Sequence, residues 1–245
     1  MRMSRAVAAA ITAIVLIAAL AQGAVRDGRI PFEQISAPQQ ARVRDVVEHA
    51  VFERGVRNMT FRSREAIFRY FLDHLDFAAA TARALKVANY QVRSRGDGTY
   101  WGDDTRGAKG VFETVYADPH KRVVHAQGTY DGRWLPTIHA RLVLIVDFEH
   151  QHAPDGHSYA TFDVKGYLCV DNRFLDALAR LVGPIVVGAV DRKVARTAGV
   201  AAKMSERAHD DPGGFLETLR AYPGVAPAHL VAVAALLGRP APASP

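Results

Sequence analysis

Cysteine is almost absent from this chain, since Cys169 is the only one among its 245 residues. A single thiol excludes an internal disulfide, and its place in a strand-like run predicts a small buried core residue. The motifs of several catalytic classes are missing as well: there is no Gly-x-Ser-x-Gly elbow, no His-Glu-x-x-His and no P-loop. The sequence therefore predicts no catalytic residue and no cofactor.

A strong charge of one sign is also lacking. Lys and Arg number 31 against 25 Asp and Glu, which leaves a net charge of +6, and the basic residues are scattered among acids. Nucleic-acid binding requires a basic stripe or patch, so we expect no nucleic-acid partner. Peripheral contact with an anionic membrane surface stays open.

Long hydrophobic runs are confined to the start of the chain. Arg2 and Arg5 form a positively charged region, residues 6–20 form an unbroken apolar region, and Ala21 completes a small-x-small pattern. The apolar run is shorter than the ~20 residues that span a bilayer. We expect residues 1–21 to be a cleaved signal peptide and the protein to be exported to the periplasm or secreted, with an uncleaved membrane anchor as the alternative.

The rest of the chain alternates between helical and strand-like patterns. Ser36 is a candidate cap for a first helix that ends at Gly55, and Ser63 is a candidate cap for a second, which Asp76 restarts. From residue 90 the chain shows strands separated by turn signals, which favours an antiparallel meander. The predicted division is a signal peptide (1–21), a linker and N-terminal helix (22–55), a main domain (56–208), and a C-terminal helical pair with a disordered tail (209–245).

The clearest strand pattern lies in residues 142–149. Leu142, Leu144 and Phe148 point to one side, while Asp147 and Glu149 point to the other. Such alternation is typical of a sheet that packs one apolar face and leaves the other solvated. A long helix with a kink at Gly183-Pro184 is predicted to follow over residues 173–207 and to cover the apolar face.

The order of these elements resembles the helix-grip fold of the START-like superfamily, which includes polyketide cyclase and aromatase relatives. The likeness rests on a strand at Met59-Thr60-Phe61 that leads into a helix over residues 63–68, and on a last strand, 159–170, that leads into the long helix. The resemblance is one of architecture and implies an α+β domain in which a curved antiparallel sheet grips the last helix. It also implies an apolar cavity between them that holds a lipid, a sterol or another hydrophobic ligand.

This arrangement predicts a function and the residues that would line the ligand cavity. We expect an exported protein that binds or transports a hydrophobic small molecule. A filled core made of the same side chains is the alternative interpretation of the predicted cavity lining. That lining consists of Phe112, Tyr116, Tyr130, Leu142, Leu144, Phe148, Phe162, Val164 and Leu168.

Two other functions remain open. A cyclase or hydrolase on the same fold needs convergent polar groups in the cavity, such as His125 with Tyr130 or with Arg93. A non-catalytic envelope module would instead dock through the apolar helix at residues 228–237.

The remaining candidate functional residues are polar and aromatic side chains of the predicted loops. His150, His152 and His157 lie close together in sequence, but they match no metal-ligand spacing, and the turn-rich segment favours a solvated loop without metal. Trp101 and Trp134 are expected in loops at the edge of the core.

Overall fold

The computed structural model describes residues 28–131, 137–170 and 183–240, and for residues 183–194 it describes the backbone alone. The predicted signal peptide, Trp134 and the first part of the predicted long helix lie outside these residues, and the kink predicted at Gly183-Pro184 lies at their boundary. Among the helices of the described ranges, none is both long enough and apolar enough to cross a membrane.

The chain forms helices at both ends of a long run of strands. After a 3-10 turn at Phe32–Gln34 come helix α1, Ala37–Glu48, and strand β1, Phe52–Arg62. Two short helices follow, and then six consecutive strands. The remaining elements are α2 (Glu65–Asp73), α3 (Leu75–Ala84), β2 (Gln91–Ser94), β3 (Thr99–Asp103), β4 (Ala108–Ala117), β5 (Lys121–Tyr130), β6 (Ile138–His152), β7 (Ser158–Val170), α4 (Gly183–Asp210), α5 (Pro212–Arg220) and α6 (Pro227–Leu236).

All seven strands form one antiparallel sheet in the order β1-β7-β6-β5-β4-β3-β2. Strands β2 to β7 are a meander, because each pairs with the next in sequence. The first strand instead pairs with the last, and α2 and α3 connect it to the far edge of the sheet. The α+β class, the antiparallel sheet and the resemblance to the helix-grip arrangement are confirmed by this order of elements.

Two predictions of local structure were wrong. Helix α1 ends at Glu48, and Gly55, predicted to end it, lies inside β1 opposite Lys165. Trp101, predicted in a loop, lies in β3 opposite Arg93 and Val111. Both errors have one cause: pairing with a neighbouring strand overrides local sequence preferences.

The strand register assigns every side chain to one of two faces, because paired residues point the same way and consecutive residues alternate. We call the face that carries Leu142, Leu144 and Phe148 the front face, and the one that carries Val143 and Ile145 the back face. Both Val143 and Ile145 are fully buried. The prediction that this second face is solvated was therefore wrong.

Helix α1 is the reason that the back face is buried. Its Val43 and Val46 are fully buried in a cluster with Val123, Val143 and other apolar side chains of this face. Cys169 lies in the same cluster, which places the thiol in the core.

Charged groups of the back face are paired where α1 and the N-terminal segment cover them. Asp147 is 5% exposed, and it accepts hydrogen bonds from Lys121 Nζ (3.1 Å) and from the Gly28 amide (3.2 Å). Arg141 forms an ion pair with Asp45 of α1. Buried charges in proteins require such partners.

At one end of the front face, aromatic rings from the sheet and from α2 form a cluster. The ring of Phe68 lies 5.5 Å from Phe148 and 5.7 Å from Phe61, which in turn lies 5.4 Å from Phe162. Ala198 of α4 joins them, so α4 packs against this end of the sheet. Edge-on contacts of this kind stabilise a core beyond the area they bury.

A separate cluster joins the helices. Phe77 of α3, Met204 of α4, Phe215 of α5 and Val233 of α6 are buried together. The C-terminal helical pair is therefore packed into the core of the molecule.

Candidate functional site

Most residues of the predicted cavity lining lie on the front face. Pairing across β4 to β7 aligns Phe112 with Ala126, Leu142 and Leu168 in one row, and Phe148 with Phe162 in another. Leu144, Val164 and Tyr130 point the same way by alternation along their strands. Eight of the nine predicted residues therefore share one face. They are Phe112, Tyr130, Leu142, Leu144, Phe148, Phe162, Val164 and Leu168.

Tyr116 is the exception and lies on the back face. A β-bulge between Thr114 and Tyr116 shifts the register of β4, so that Tyr116 pairs with Val123. Its hydroxyl donates to Asp118 (2.7 Å), and its ring packs against the cluster beneath α1. Strand alternation without the bulge had predicted the wrong face.

Burial along the front face falls from the aromatic end towards the centre. Phe148 is fully buried and Phe162 is 3% exposed. Leu142, Leu144 and Leu168, in the centre of the same face, are only partly buried. Val143 and Ile145, on the back face behind this centre, are fully buried. The middle of the front face is therefore apolar surface that remains partly open.

A row of small residues lies beside this open centre. Gly102, Gly110, Gly128 and Ala140 form a row across β3 to β6, next to the row of Phe112. The ring of Phe112 lies over Gly102, where an added Cβ would approach its Cε1 to 2.7 Å. On the other side of this row, Tyr130 and Ile138 pack with Ala140 and Leu168.

The aromatic end of the front face is closed by a buried cation. Arg122 is 6% exposed, and its guanidinium lies 5.5 Å from the centre of the Phe148 ring. It donates to Asp73 Oδ1 at 2.7 and 3.0 Å and to the Asp118 carbonyl oxygen. Since these partners satisfy the cation, Arg122 ties β5 to the end of α2.

The histidines near the end of β6 do not form a shared site. His150 lies in the strand, with its ring 5.5 Å from Phe68, and burial lowers its pKa to about 4. His152 contacts Ser158 (2.8 Å), whereas the His157 ring lies 5.3 Å from His209 of α4. Within the ranges that the structure describes, no group of three such side chains is arranged to hold a metal ion.

His125 lies on the back face, away from Tyr130. Its ring is 5% exposed, and burial followed by the charge of Arg42 lowers its pKa, against a smaller opposite effect of Glu113. Arg93 is also on this face. The pair His125 and Tyr130, considered above for an enzyme, is therefore separated by the sheet.

A small polar pocket lies beside His125. It has a volume of about 170 Å³ and is lined by α1, by Arg95 after β2, and by strands β3 to β5. Sequence reasoning did not find it, because it depends on α1 packing across the back face. Its lining residues are Arg42, Arg95, Thr99, Val111, Phe112, Glu113, His125 and Gln127.

Comparison with known proteins gives structural likenesses at low sequence identity. No protein-family model matches the sequence, and no curated protein matches it. The structure is similar to a conserved protein from Geobacillus kaustophilus, with 10% identity and a TM-score of 0.46, over 64% of this chain and 97% of that one.

Two further solved structures are similar to it. The di-domain ARO/CYC protein BexL of the BE-7585A biosynthetic pathway has 15% identity and a TM-score of 0.41, and the match covers 69% of this chain and 54% of that protein. This chain therefore spans about half of the di-domain protein. A putative uncharacterized protein from Rhizobium leguminosarum has 16% identity and a TM-score of 0.31, over 65% of this chain and 99% of that one.

Proposed function

We propose that this protein binds a hydrophobic small molecule, such as a lipid or a sterol-like compound, between the front face of the sheet and helix α4. One observation carries the proposal: the centre of the front face is apolar but only partly buried, while Val143 and Ile145, next to it in sequence on the back face, are fully buried. A partly open apolar surface within a fold is a natural place for a hydrophobic ligand.

Covering this apolar surface would contribute substantially to the free energy of ligand binding. Covering apolar surface contributes about 25 cal/mol for each Å², so roughly 200 Å² of newly covered surface contributes about 5 kcal/mol. Leu142, Leu144 and Leu168 would supply part of that area.

Shape and charge also favour an apolar ligand here. The aromatic end is closed by Phe148 and Phe162, and the cation at this end, Arg122, is already paired with Asp73. The ligand would therefore lie along the central rows, towards Phe112 and Tyr130, and contact the sheet through apolar atoms.

The test uses N-phenyl-1-naphthylamine, whose fluorescence rises in apolar surroundings. We expect saturable binding to the wild-type protein and a loss of at least tenfold in affinity for Ala126→Trp, because Ala126 lies between Phe112 and Leu142 in the central row. The control is His139→Trp, which adds the same indole at an exposed position on the back face of β6 and should leave binding unchanged.

Binding that is equal in both variants would show that the probe lies elsewhere, and the proposal would be wrong. Mass spectrometry of the purified protein under native conditions adds a second readout, since a copurified lipid should be present in the wild type and depleted in Ala126→Trp.

We also propose that binding takes place outside the cytoplasm, as a carrier function. The support is the N-terminal sequence alone: Arg2 and Arg5 before an apolar run, with Ala21 in a cleavable pattern. Expression of the full chain should give a mature product that begins at Gln22, as shown by its intact mass. Retention of residues 1–21 in a membrane fraction would favour the anchored form instead.

A further inference from the structure

The back face carries a polar pocket that the front-face ligand does not use. Its floor is a row of paired residues, Thr99, Glu113 and His125, on strands β3, β4 and β5. Arg42 of α1 borders it on one side and Arg95, after β2, on another. The N-terminal helix and the sheet therefore build this pocket together.

The carboxylate of the pocket is held in place by α1. Glu113 is 15% exposed, and it accepts hydrogen bonds from Arg42 Nη2 (2.8 Å) and from Gln39 Nε2 (3.0 Å). Its Oε1 lies 3.8 Å from Nδ1 of His125. Both carboxylate oxygens therefore bond to α1, and at 3.8 Å the imidazole is beyond hydrogen-bond distance of the carboxylate.

The second cation of the pocket has no such partner. The guanidinium of Arg95 is exposed and forms neither an ion pair nor a side-chain hydrogen bond in the described part of the chain, although its charge acts on Asp97. Two arginines and one carboxylate thus line the pocket, so its lining has an excess of positive charge. Arginine is well suited to bind a carboxylate through two parallel hydrogen bonds.

His125 lies at the floor of the pocket. Burial and, to a smaller extent, the charge of Arg42 lower its pKa, against the opposite effect of Glu113. Both causes favour the neutral ring, which has one donor and one acceptor. A neutral imidazole at the base of the pocket offers a directed hydrogen bond to a bound anion.

An open depression adjoins the pocket and shares Arg95 and Val111 with it. It has a volume of about 560 Å³ and is lined by Trp101, whose indole lies 6.0 Å from the Arg93 guanidinium. Trp101 and Val111 supply apolar surface beside the cationic pocket, with the Arg93 guanidinium over the indole ring.

The geometry points to a second ligand site on the back face that binds a small organic carboxylate, with the carboxylate at Arg42, Arg95 and His125 and an apolar or aromatic body against Trp101. The inner pocket, at about 170 Å³, has the volume of roughly six water molecules and holds a carboxylate with a few carbon atoms. The remainder of the ligand extends into the open depression.

Benzoate is the probe for this site, and benzamide is its neutral counterpart of nearly the same shape. Titration of the full chain by calorimetry should give a Kd of about 1 mM or tighter for benzoate. Benzamide should bind at least tenfold more weakly, because it lacks the charge that the arginines recognise. Equal affinities for the two compounds would overturn the inference.

Two arginine variants locate the site. Arg95→Gln should weaken benzoate binding at least tenfold, and folding should be unaffected because the side chain makes no ion pair in the described residues. Arg57→Gln removes the same charge from an exposed position on β1, at the opposite edge of the sheet, and should leave binding unchanged. A loss of the same size in both variants would show only non-specific attraction and would contradict a built site.

The two proposed sites are separable by experiment. Ala126→Trp, which obstructs the front face, should leave benzoate binding intact, whereas Arg95→Gln should leave binding of the naphthylamine probe intact. If Ala126→Trp abolishes benzoate binding, the anion lies on the front face, and the back-face site is wrong while the proposed function stands.

Discussion

At the scale of single residues, Gly128 and Gly110 approach each other so closely across β4 and β5 that neither position has room for a side chain. A Cβ on Gly128 would lie 2.2 Å from the carbonyl oxygen of Lys109 and 2.7 Å from the Gly110 Cα. Because the obstacle is backbone, it cannot rotate away. We expect Gly128→Ala to lower the free energy of unfolding by about 1–3 kcal/mol, measured by urea titration.

Gly199 provides the matched control, since it lies in the interior of α4 with no other atom within 4 Å of an added Cβ. Alanine is the better helix former, so Gly199→Ala should raise the free energy of unfolding by about 0.5–1 kcal/mol. A neutral or stabilising Gly128→Ala would contradict the close approach of the two strands.

His150 makes the stability of the fold depend on pH. Burial lowers its pKa from 6.5 to about 4 in the folded state, so between these values the unfolded chain binds a proton that the folded chain does not. Stability is therefore full above pH 6.5 and falls as the pH is lowered towards 4. We expect a loss of about 1–2 kcal/mol, below the full linkage value because the ring keeps some contact with solvent.

The measurement is urea unfolding of wild type and His150→Phe at several pH values in that window. Phenylalanine keeps the contacts with Phe68 and Phe148 but carries no titrating group, so the variant should lose less stability on acidification. The pKa values of His125 and His229 are also lowered, so the stability of the variant should still fall somewhat with decreasing pH. Identical profiles for the two proteins would show that His150 is not responsible.

At the scale of secondary-structure elements, helix α1 determines the character of the back face. Val43 and Val46 are the two fully buried side chains of the helix. Replacing both with Ala removes apolar contacts with strands β5 and β6 and should lower the free energy of unfolding by about 2–5 kcal/mol. The same variant should weaken benzoate binding, since α1 supplies Arg42 to the pocket.

Glu48→Ala is the control for this helix. Glu48 is exposed at the last position of α1, so its removal should change the free energy of unfolding by less than about 0.5 kcal/mol. If the double valine variant is no less stable than Glu48→Ala, α1 does not pack on the sheet in solution.

At the scale of the whole molecule, the C-terminal helices are part of the core. Phe215, Leu219 and Val233 are fully buried in the cluster that also contains Phe77 of α3. A chain truncated after Asp211 would expose this cluster, so we expect it to lose cooperative thermal unfolding, as followed by circular dichroism.

A shorter truncation after Pro240 serves as the control. It retains α5 and α6 and should unfold cooperatively, with a midpoint close to that of the full chain. Cooperative unfolding of the chain truncated after Asp211, at an unchanged midpoint, would show that the helical pair is an independent appendage.

The predictable part of the fold was the part governed by local periodicity. The alternation of Leu142, Leu144 and Phe148 correctly placed these side chains on one face of a strand. Tyr116 was assigned to the same face, because a β-bulge depends on the pairing of two strands and leaves no mark in the pattern of one. The pocket around His125 could not be predicted either, since its lining comes from separate elements.

The amino-acid sequence by itself determined the α+β class, the antiparallel meander and the division of apolar side chains along each strand, because these follow from periods of 2 and 3.6 residues. Only the tertiary structure decided which helix covers which face. Helix α1 buries Val143 and Ile145, while Leu142 and Leu144 remain partly open. The physical reason is that burial depends on contacts between residues distant in sequence, whereas alternation depends on neighbours.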